Sequence, residues 1–290
     1  MIHVDSKSLL AQVSVDERLD RLEAALLAQG ATFGPVPELP ATATIGDAIR
    51  ARAGRCTPRH GEVWDRVAAL EAVFPGGRVV TTKGSPRAAT GPDITRTLLE
   101  ARGQLGDIRK VWLRLLPTPK RRERLVVRAE SFAQALVALG VVQHSGARAV
   151  EVSLSGTQSA ARMVLRFEGD PILVDAELAL AKRLVSALVG VSLEEVTSTS
   201  ARSALLDAQP ESRDALLLEA PWAELSARLG EVFERLGASF DGVLRVVAVM
   251  HEGAVIAVPW PAGVPREDTP LPSIPPHVAR IRESLVRRCA

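Results

Sequence analysis

Tyrosine and asparagine are absent from this 290-residue chain, and aromatic residues make up only 3% of it. The lack of tyrosine removes one common acid and hydrogen-bond donor of enzyme sites. Only two cysteines occur, Cys56 and Cys289, which lie far apart and in no metal-ligand spacing. This cysteine usage argues against a disulfide framework and favours a reducing, cytoplasmic location.

Several classes of function have no supporting feature in the sequence. The start of the chain lacks the basic residues and long apolar run of a signal peptide, and no run of about 18 apolar residues predicts a membrane span. The net charge of +2 provides no general argument for binding nucleic acid. No phosphate-binding loop, dinucleotide fingerprint, nucleophile elbow or metal-ligand cluster occurs, so we predict no metal site and assign no catalytic residue.

The first 120 residues predict short strands and helices separated by glycine and proline. A strand at Ser8–Val13 precedes a helix at 15–30, where Ser14 and Glu17 have the spacing of a capping box. A proline-rich loop follows, because proline fixes φ and lacks the amide that regular structure needs. The remaining predicted elements are a turn and short helix at Thr44–Ala53, a strand at Val67–Phe74, a hairpin into Arg78–Thr82, a helix at Asp93–Arg102 and a strand at Lys110–Leu116.

After Lys120 the pattern changes to strand, helix, strand, strand, and this order occurs twice. Such an order is typical of an α+β domain with helices on one face of an antiparallel sheet. The sequence similarity between the two rounds is too low to identify a repeat. The predicted elements are strands at Leu125–Ala129, Ala149–Leu154, Met163–Phe167, Ala215–Glu219, Leu244–Met250 and Ala254–Val258, and helices at Ser131–Leu139, Pro171–Val189, Trp222–Leu236 and His277–Arg288.

Glycine motifs in the first 120 residues carry the functional signal. They are Thr44-Ile45-Gly46, His60-Gly61, Thr90-Gly91-Pro92-Asp93-Ile94 and Gly103-Gln104-Leu105-Gly106-Asp107-Ile108. In order and spacing they resemble the second half of the PCMH-type FAD-binding domain of FAD-linked oxidases of the vanillyl-alcohol-oxidase class. The pattern is most like the small flavin subunit of glycolate oxidase and alkyl-dihydroxyacetone-phosphate synthase. The resemblance implies a partial FAD-binding module at residues 1–120 and a ferredoxin-like cap, or substrate, domain with an antiparallel sheet at residues 121–290.

The same resemblance implies which residues would contact FAD. They are Thr44, Ile45, Gly46, His60, Gly61, Asp93, Gly103, Leu105, Gly106 and Ile108. Three positions depart from the family pattern: Asp47 replaces a second glycine, Pro92 replaces a tyrosine and Asp107 replaces an isoleucine. A carboxylate at position 47 would repel a flavin phosphate, and we interpret it as a helix N-cap instead.

Three functional hypotheses remain open. The chain could be a FAD-linked oxidoreductase that passes a hydride from a small hydroxy acid to the flavin. It could be a non-catalytic binding or assembly subunit that kept the fold, or a subunit that completes its flavin site with a separate chain. The family's glycine-triplet loop, whose amides hold the pyrophosphate, does not occur here, so we expect FAD binding to be weak or absent in the isolated chain. Other oxidase subunits or a second copy of the chain are the expected partners.

Overall fold

The computed structural model describes residues 2–82, 93–101, 103–194, 215–236, 240, 242–249 and 252–259. The chain divides into two compact units, residues 1–120 and residues 121–290. Each unit combines helices with antiparallel strands, which confirms the α+β fold class. Thr90–Pro92 and the predicted helix at His277–Arg288 lie outside the described residues.

Unit 1 is built on a five-stranded antiparallel sheet with four helices. The strands are β1 (His3–Asp5), β2 (Leu10–Ser14), β3 (Ala31–Thr32), β4 (Val67–Val73), β5 (Val79–Thr81), β6 (Asp107–Arg114) and β7 (Leu116–Pro117), and the helices are α1 (Leu19–Leu27), α2 (Ile45–Ala51), α3 (Val63–Arg66) and α4 (Ile94–Glu100). The sheet has the order β1-β2-β6-β4-β5, and β3 pairs separately with β7. The core of the unit contains Leu22 and Leu26 of α1, which follow the helical i, i+4 spacing.

The predicted start of the first helix is wrong. Ser14 is the last residue of β2, where it pairs with Lys110, so its backbone is extended and the next residues form a turn. The helix begins only at Leu19, after Arg18, and no side chain caps it. Pairing with β6 therefore overrides the local capping signal, since a sheet register fixes the strand's end through long-range hydrogen bonds.

The strand before Pro117 also begins earlier than the sequence predicts. β6 starts at Asp107 rather than Lys110, because Asp107 pairs with Val73 and Ile108 pairs with Ala72. Ile108, a predicted flavin contact, and its neighbour Asp107 are thus part of the sheet. The hairpin between β4 and β5 is confirmed, and its glycines, Gly76 and Gly77, have φ values of 87° and 82°.

Unit 2 contains a seven-stranded antiparallel sheet. Its strands are β8 (Arg121–Ala129), β9 (Glu151–Thr157), β10 (Ala160–Gly169), β11 (Val191–Glu194), β12 (Ala215–Pro221), β13 (Leu244–Val249) and β14 (Gly253–Pro259), and its helices are α5 (Phe132–His144), α6 (Pro171–Ser186) and α7 (Trp222–Leu236). The strand order is β11-β8-β10-β9-β13-β14-β12. The first four strands have the 4-1-3-2 order of a ferredoxin-like βαββαβ motif, which confirms the predicted antiparallel cap-type architecture.

The two rounds of strand, helix, strand, strand form the two halves of this sheet. β8-β10-β9 in the first half corresponds to β12-β14-β13 in the second, and the halves join where β9 pairs with β13. The register at this join places Leu244 opposite Gly156 and Arg245 opposite Ser155. Side chains from both halves belong to a single buried cluster, so neither half has a separate core.

Helix α5 continues five residues beyond its predicted end at Leu139. A glycine usually destabilises a helix interior, and the predicted helix ends directly before Gly140. In the structure, a Cβ at Gly140 would lie 3.2 Å from Cε3 of Trp222, so the missing side chain leaves room for this indole. Packing of α7 against α5 therefore offsets the poor helix propensity of the glycine.

Candidate functional site

The turn at Thr44–Asp47 is closed by its own hydrogen bonds. The amide of Thr44 donates to the carboxylate of Asp47 at 2.9 Å, and the amide of Asp47 donates to Oγ1 of Thr44 at 3.1 Å. Thr44 is therefore the N-cap of α2 and Asp47 is the third helical residue of a capping box. The interpretation of Asp47 as the N-cap itself is wrong, because Thr44 occupies that position. Asp47 still contributes to the cap, since its carboxylate accepts the Thr44 amide.

The two amides between these residues are also engaged. Ile45 donates to the carbonyl of Glu17 at 2.9 Å, and Gly46 donates to the carbonyl of Val15 at 2.7 Å. Four consecutive amides, from Thr44 to Asp47, thus have acceptors within the protein. This turn does not fit a phosphate or flavin ring held by main-chain amides, because such binding needs donors that face the ligand.

Asp47 is ionised at neutral pH. The hydrogen bond from the Thr44 amide, then that from the Thr44 hydroxyl and then that from Arg50 lower the pKa of the Asp47 carboxyl below its ordinary value of 3.8. Each of these donors stabilises the carboxylate form. The position that carries a glycine in the family pattern therefore carries a fixed negative charge here.

Gly61 is required by its own loop. It has φ of 70°, and an added Cβ would lie 2.8 Å from a carboxylate oxygen of Asp65. Its carbonyl accepts hydrogen bonds from Oγ1 of Thr57 at 3.0 Å and from Arg66 at 3.1 Å. His60 is partly exposed beside it, and its amide donates to the carbonyl of Thr57. His60 and Gly61 thus belong to a compact turn whose Gly61 carbonyl is bound by Arg66.

Arg66 is a buried cation that joins two loops. Its guanidinium donates to the carbonyl of Phe33 at 2.9 Å, to Oγ1 of Thr57 at 3.2 Å and to the Gly61 carbonyl. Burial lowers the pKa of Arg66 to about 10, while nearby carboxylates, Glu38 first among them, act in the opposite direction. The group is still charged at neutral pH. No sequence motif marks this residue, because its partners lie up to 33 positions away.

Glu38 is a second residue that the sequence did not single out. It lies in the proline-rich loop, and its two carboxylate oxygens accept the amides of Gly54 at 2.9 Å and Cys56 at 3.0 Å. Oriented pairs of amides of this kind form anion-binding nests. The only available signal was that Glu38 is the one acidic residue among the prolines at positions 35, 37 and 40.

Asp93 is the N-cap of α4, one position before the helix begins, whereas the sequence predicts it as the first helical residue. Its carboxylate accepts the amide of Arg96 at 2.8 Å. Arg96 also lies 3.3 Å from the Asp65 carboxylate and 5.3 Å from the ring centre of Trp64. The indole of Trp64 in turn donates to the carbonyl of Ile49 in α2 at 2.7 Å. The last part of α2 and the starts of α3 and α4 are thus held together around Trp64.

The last glycine motif lies at the other end of β4. Gly106 packs so closely on β4 that an added Cβ would lie 2.7 Å from the carbonyl oxygen of Val73. Val73 ends β4, whereas α3 precedes its first residue, so seven residues of strand, about 20 Å, separate the two regions. Gly103 has φ of 85°, and Leu105 is exposed. As cofactor contacts, all ten residues stay predictions.

The described residues contain neither a candidate metal site nor a candidate membrane-spanning helix. No group of three histidine, cysteine, aspartate or glutamate side chains there could hold a metal ion. None of the described helices is both long and apolar enough to cross a membrane.

Known proteins of one class are similar to unit 1. A family model described as FAD binding domain matches residues 1–83. The chain is 32% identical over 116 residues to an uncharacterized FAD-linked oxidoreductase, YgcU, of Escherichia coli K12, which covers 40% of this chain and 24% of the relative. It is 28% identical over 121 residues to alkyldihydroxyacetonephosphate synthase of Caenorhabditis elegans, covering 41% and 20%, and 26% identical over 133 residues to glycolate oxidase subunit GlcD of Bacillus subtilis, covering 45% and 28%.

The similarity to solved structures extends over both units. A structure of alkyldihydroxyacetonephosphate synthase superimposes with a TM-score of 0.74 at 14% identity, covering 99% of this chain and 59% of that one. The chain therefore spans about a quarter of the curated relatives that it matches and somewhat over half of the matched structure. These matches confirm the predicted resemblance of the N-terminal part of the chain to FAD-linked oxidases with a PCMH-type FAD-binding domain.

Proposed function

We propose that this chain is a FAD-linked oxidase-family protein of glycolate-oxidase-subunit type whose own residues hold FAD weakly or not at all. The observation that supports this most directly is the turn at Thr44–Asp47, where four amides are engaged and an ionised carboxylate replaces the second glycine. A flavin phosphate approaching this turn meets repulsion instead of free donors. On this proposal the chain keeps the family fold and serves as a binding or assembly subunit.

The test is a titration of the purified chain with FAD, followed by the visible spectrum and by the quenching of flavin fluorescence. We expect a colourless protein and no tight complex. Asp47→Asn removes the charge but keeps an oxygen that can accept the Thr44 amide, whereas Asp47→Gly restores the family residue. An increase in FAD affinity of about tenfold or more in both variants would support repulsion by the carboxylate. A yellow wild-type protein with bound FAD would contradict the proposal.

A second candidate is a flavin site that residues outside these 290 positions complete. It is favoured by the matched synthase structure, of which this chain covers only 59%. Here FAD would bind only when the completing segment is present, on the same or another polypeptide. If neither Asp47 variant gains FAD affinity, but a partner chain with a glycine-triplet loop restores flavin absorption, this candidate replaces the first.

The partners, the location and the activity of the chain are part of the same proposal. We propose other subunits of an oxidase complex, or a second copy of this chain, as partners, and a reducing cytoplasm as the location. Light scattering of the pure chain, and of the chain co-expressed with candidate subunits, tests the partners. If a flavin-loaded complex forms, bleaching of its visible bands by a small hydroxy acid such as glycolate would establish oxidoreductase activity.

A further inference from the structure

We propose that Gly54–Cys56 forms an oxyanion nest that recognises a phosphate group, and that Glu38 occupies this nest as an internal ligand. The amides of Gly54 and Cys56 converge on one carboxylate, and each donates to a different oxygen, at 2.9 Å and 3.0 Å. A phosphate presents the same pair of oxygens and additional ones. Main-chain amides arranged around one anion are the recurring form of phosphate sites in proteins.

The backbone of the nest is tightly constrained. Gly54 has φ of 95°, which favours glycine, and a Cβ there would lie 2.8 Å from the carbonyl oxygen of Gly61. The same carbonyl is fixed by Oγ1 of Thr57 and by Arg66. The amides of Gly54 and Cys56 are thus oriented by surrounding structure as well as by Glu38, so the nest keeps its shape when the carboxylate leaves.

The charges around the nest favour an anion. Arg66 is buried under the same loop, and Glu38 is the first of the carboxylates that stabilise its charge. Arg55, between the two donating amides, is also buried, and it donates to the carbonyl of Ala51 at 3.0 Å. Removing Glu38 would leave two amides and the Arg66 cation without that carboxylate. A phosphate would replace it with an equal or greater negative charge.

Glu38 can leave the nest by rotating its side chain. The residue is half-buried, so part of it is accessible to solvent. Its loop is held independently, since Arg66 binds the Phe33 carbonyl and the amide of Asp20 binds the Ala41 carbonyl. An external anion must still compete with a tethered carboxylate, whose effective concentration is on the order of millimolar or higher. The wild-type protein should therefore bind phosphate poorly.

The experiment compares Glu38→Ala with the wild type in thermal unfolding, with inorganic phosphate added against chloride at equal ionic strength. Phosphate stabilises many proteins by preferential exclusion, so a control is needed. Glu23→Ala provides it, because Glu23 accepts the Phe33 amide at 3.0 Å and also acts on Arg66, but binds no amide pair. We expect phosphate to raise the midpoint of Glu38→Ala by about 4 °C or more beyond both other proteins, with saturation.

Two further arms define the source of the phosphate and guard against misfolding. FAD and riboflavin share the isoalloxazine ring, but only FAD carries phosphate. If Glu38→Ala binds FAD about tenfold more tightly than the wild type does, and riboflavin affinity is unchanged, the nest is assigned to a nucleotide. A response to inorganic phosphate without this gain assigns it to free phosphate. Glu38→Gln keeps the shape of the side chain, so phosphate should raise its unfolding midpoint by less than that of Glu38→Ala. Equal responses of both Glu38 variants, Glu23→Ala and wild type would overturn the proposal, whatever the flavin affinity of the wild type.

Discussion

Gly106→Ala should destabilise unit 1 even though it adds one methyl group. The new Cβ would lie 2.7 Å from the carbonyl oxygen of Val73 and 3.3 Å from Cα of Phe74. Both are backbone atoms at the end of β4, which cannot rotate away as the tip of a side chain could. Overpacking of this kind costs about 1–3 kcal/mol, and the rigid neighbours place the expected loss of unfolding free energy in the upper half of that range.

Gly103→Ala is the matched control, because the residue lies three positions away and its substitution destabilises the protein for a different reason. Nothing lies within 4 Å of its hypothetical Cβ, but φ is 85°, so the expected cost is about 1–2 kcal/mol of backbone strain. Asparagine tolerates this conformation, so Gly103→Asn should recover part of the loss, whereas Gly106→Asn should be worse than Gly106→Ala.

Urea unfolding followed by tryptophan fluorescence measures these differences, since Trp64 and Trp112 both belong to unit 1. The midpoint should shift while the slope stays constant, which identifies a change in stability. A Gly106→Ala protein as stable as the wild type would refute the close approach to β4. If it lost affinity for FAD at unchanged stability, Gly106 would serve the cofactor and not the fold.

Three other perturbations test separate parts of the structure. Gly230→Ala in α7 should stabilise unit 2 by about 0.5–1 kcal/mol, since its Cβ meets nothing within 4 Å, whereas Gly140→Ala should gain less or lose stability against the packed indole; thermal unfolding compares them. Arg66→Met should cost about 3 kcal/mol or more in urea unfolding because it orphans buried carbonyls, whereas Arg50→Met, at an exposed position, should stay within about 0.5 kcal/mol. The folded-state pKa of Asp47 is lowered, so its stabilisation is fully present above the ordinary value of 3.8 and is lost as the pH falls through the lowered folded-state pKa; the difference in unfolding free energy between wild type and Asp47→Asn should therefore shrink as the pH falls below 3.8.

Local patterns predicted most of the elements, and they failed where distant partners decide. The PGG hairpin follows from three adjacent residues, and the start of α4 lies within one residue of the predicted start at Asp93. Ser14 shows the opposite case, because its capping-box spacing is correct but pairing with Lys110 keeps it in a strand. Gly140 fails for a similar reason, since only the position of Trp222 reveals why a glycine continues the helix.

The candidate site was predictable as a set of motifs but not as a geometry. The family pattern marked Gly46, Gly61 and Gly106, yet each is already needed by the fold, against Val15, Asp65 and Val73 respectively. Arg66 and Glu38 carry no motif, and their most distant hydrogen-bond partners, Phe33 and Cys56, lie 33 and 18 positions away. Contacts at that separation depend on how loops close over the sheet, which neither periodicity nor spacing encodes.

The two proposals meet in one physical argument about unit 1. Asp47, in the first turn of α2, and Glu38, in the proline-rich loop, are independent carboxylates. Asp47 accepts the main-chain amide of Thr44 and Glu38 accepts two main-chain amides, and these donors could otherwise face a phosphate. Each carboxylate stabilises its own loop, so a phosphate gains only the difference between its interactions and those it displaces. If both proposals hold, the double variant Asp47→Asn, Glu38→Ala should bind FAD more tightly than either single variant, by roughly the product of their gains, since the loops do not share a hydrogen bond among the contacts described. A double variant no better than the stronger single one would mean that only one of the two loops faces the cofactor.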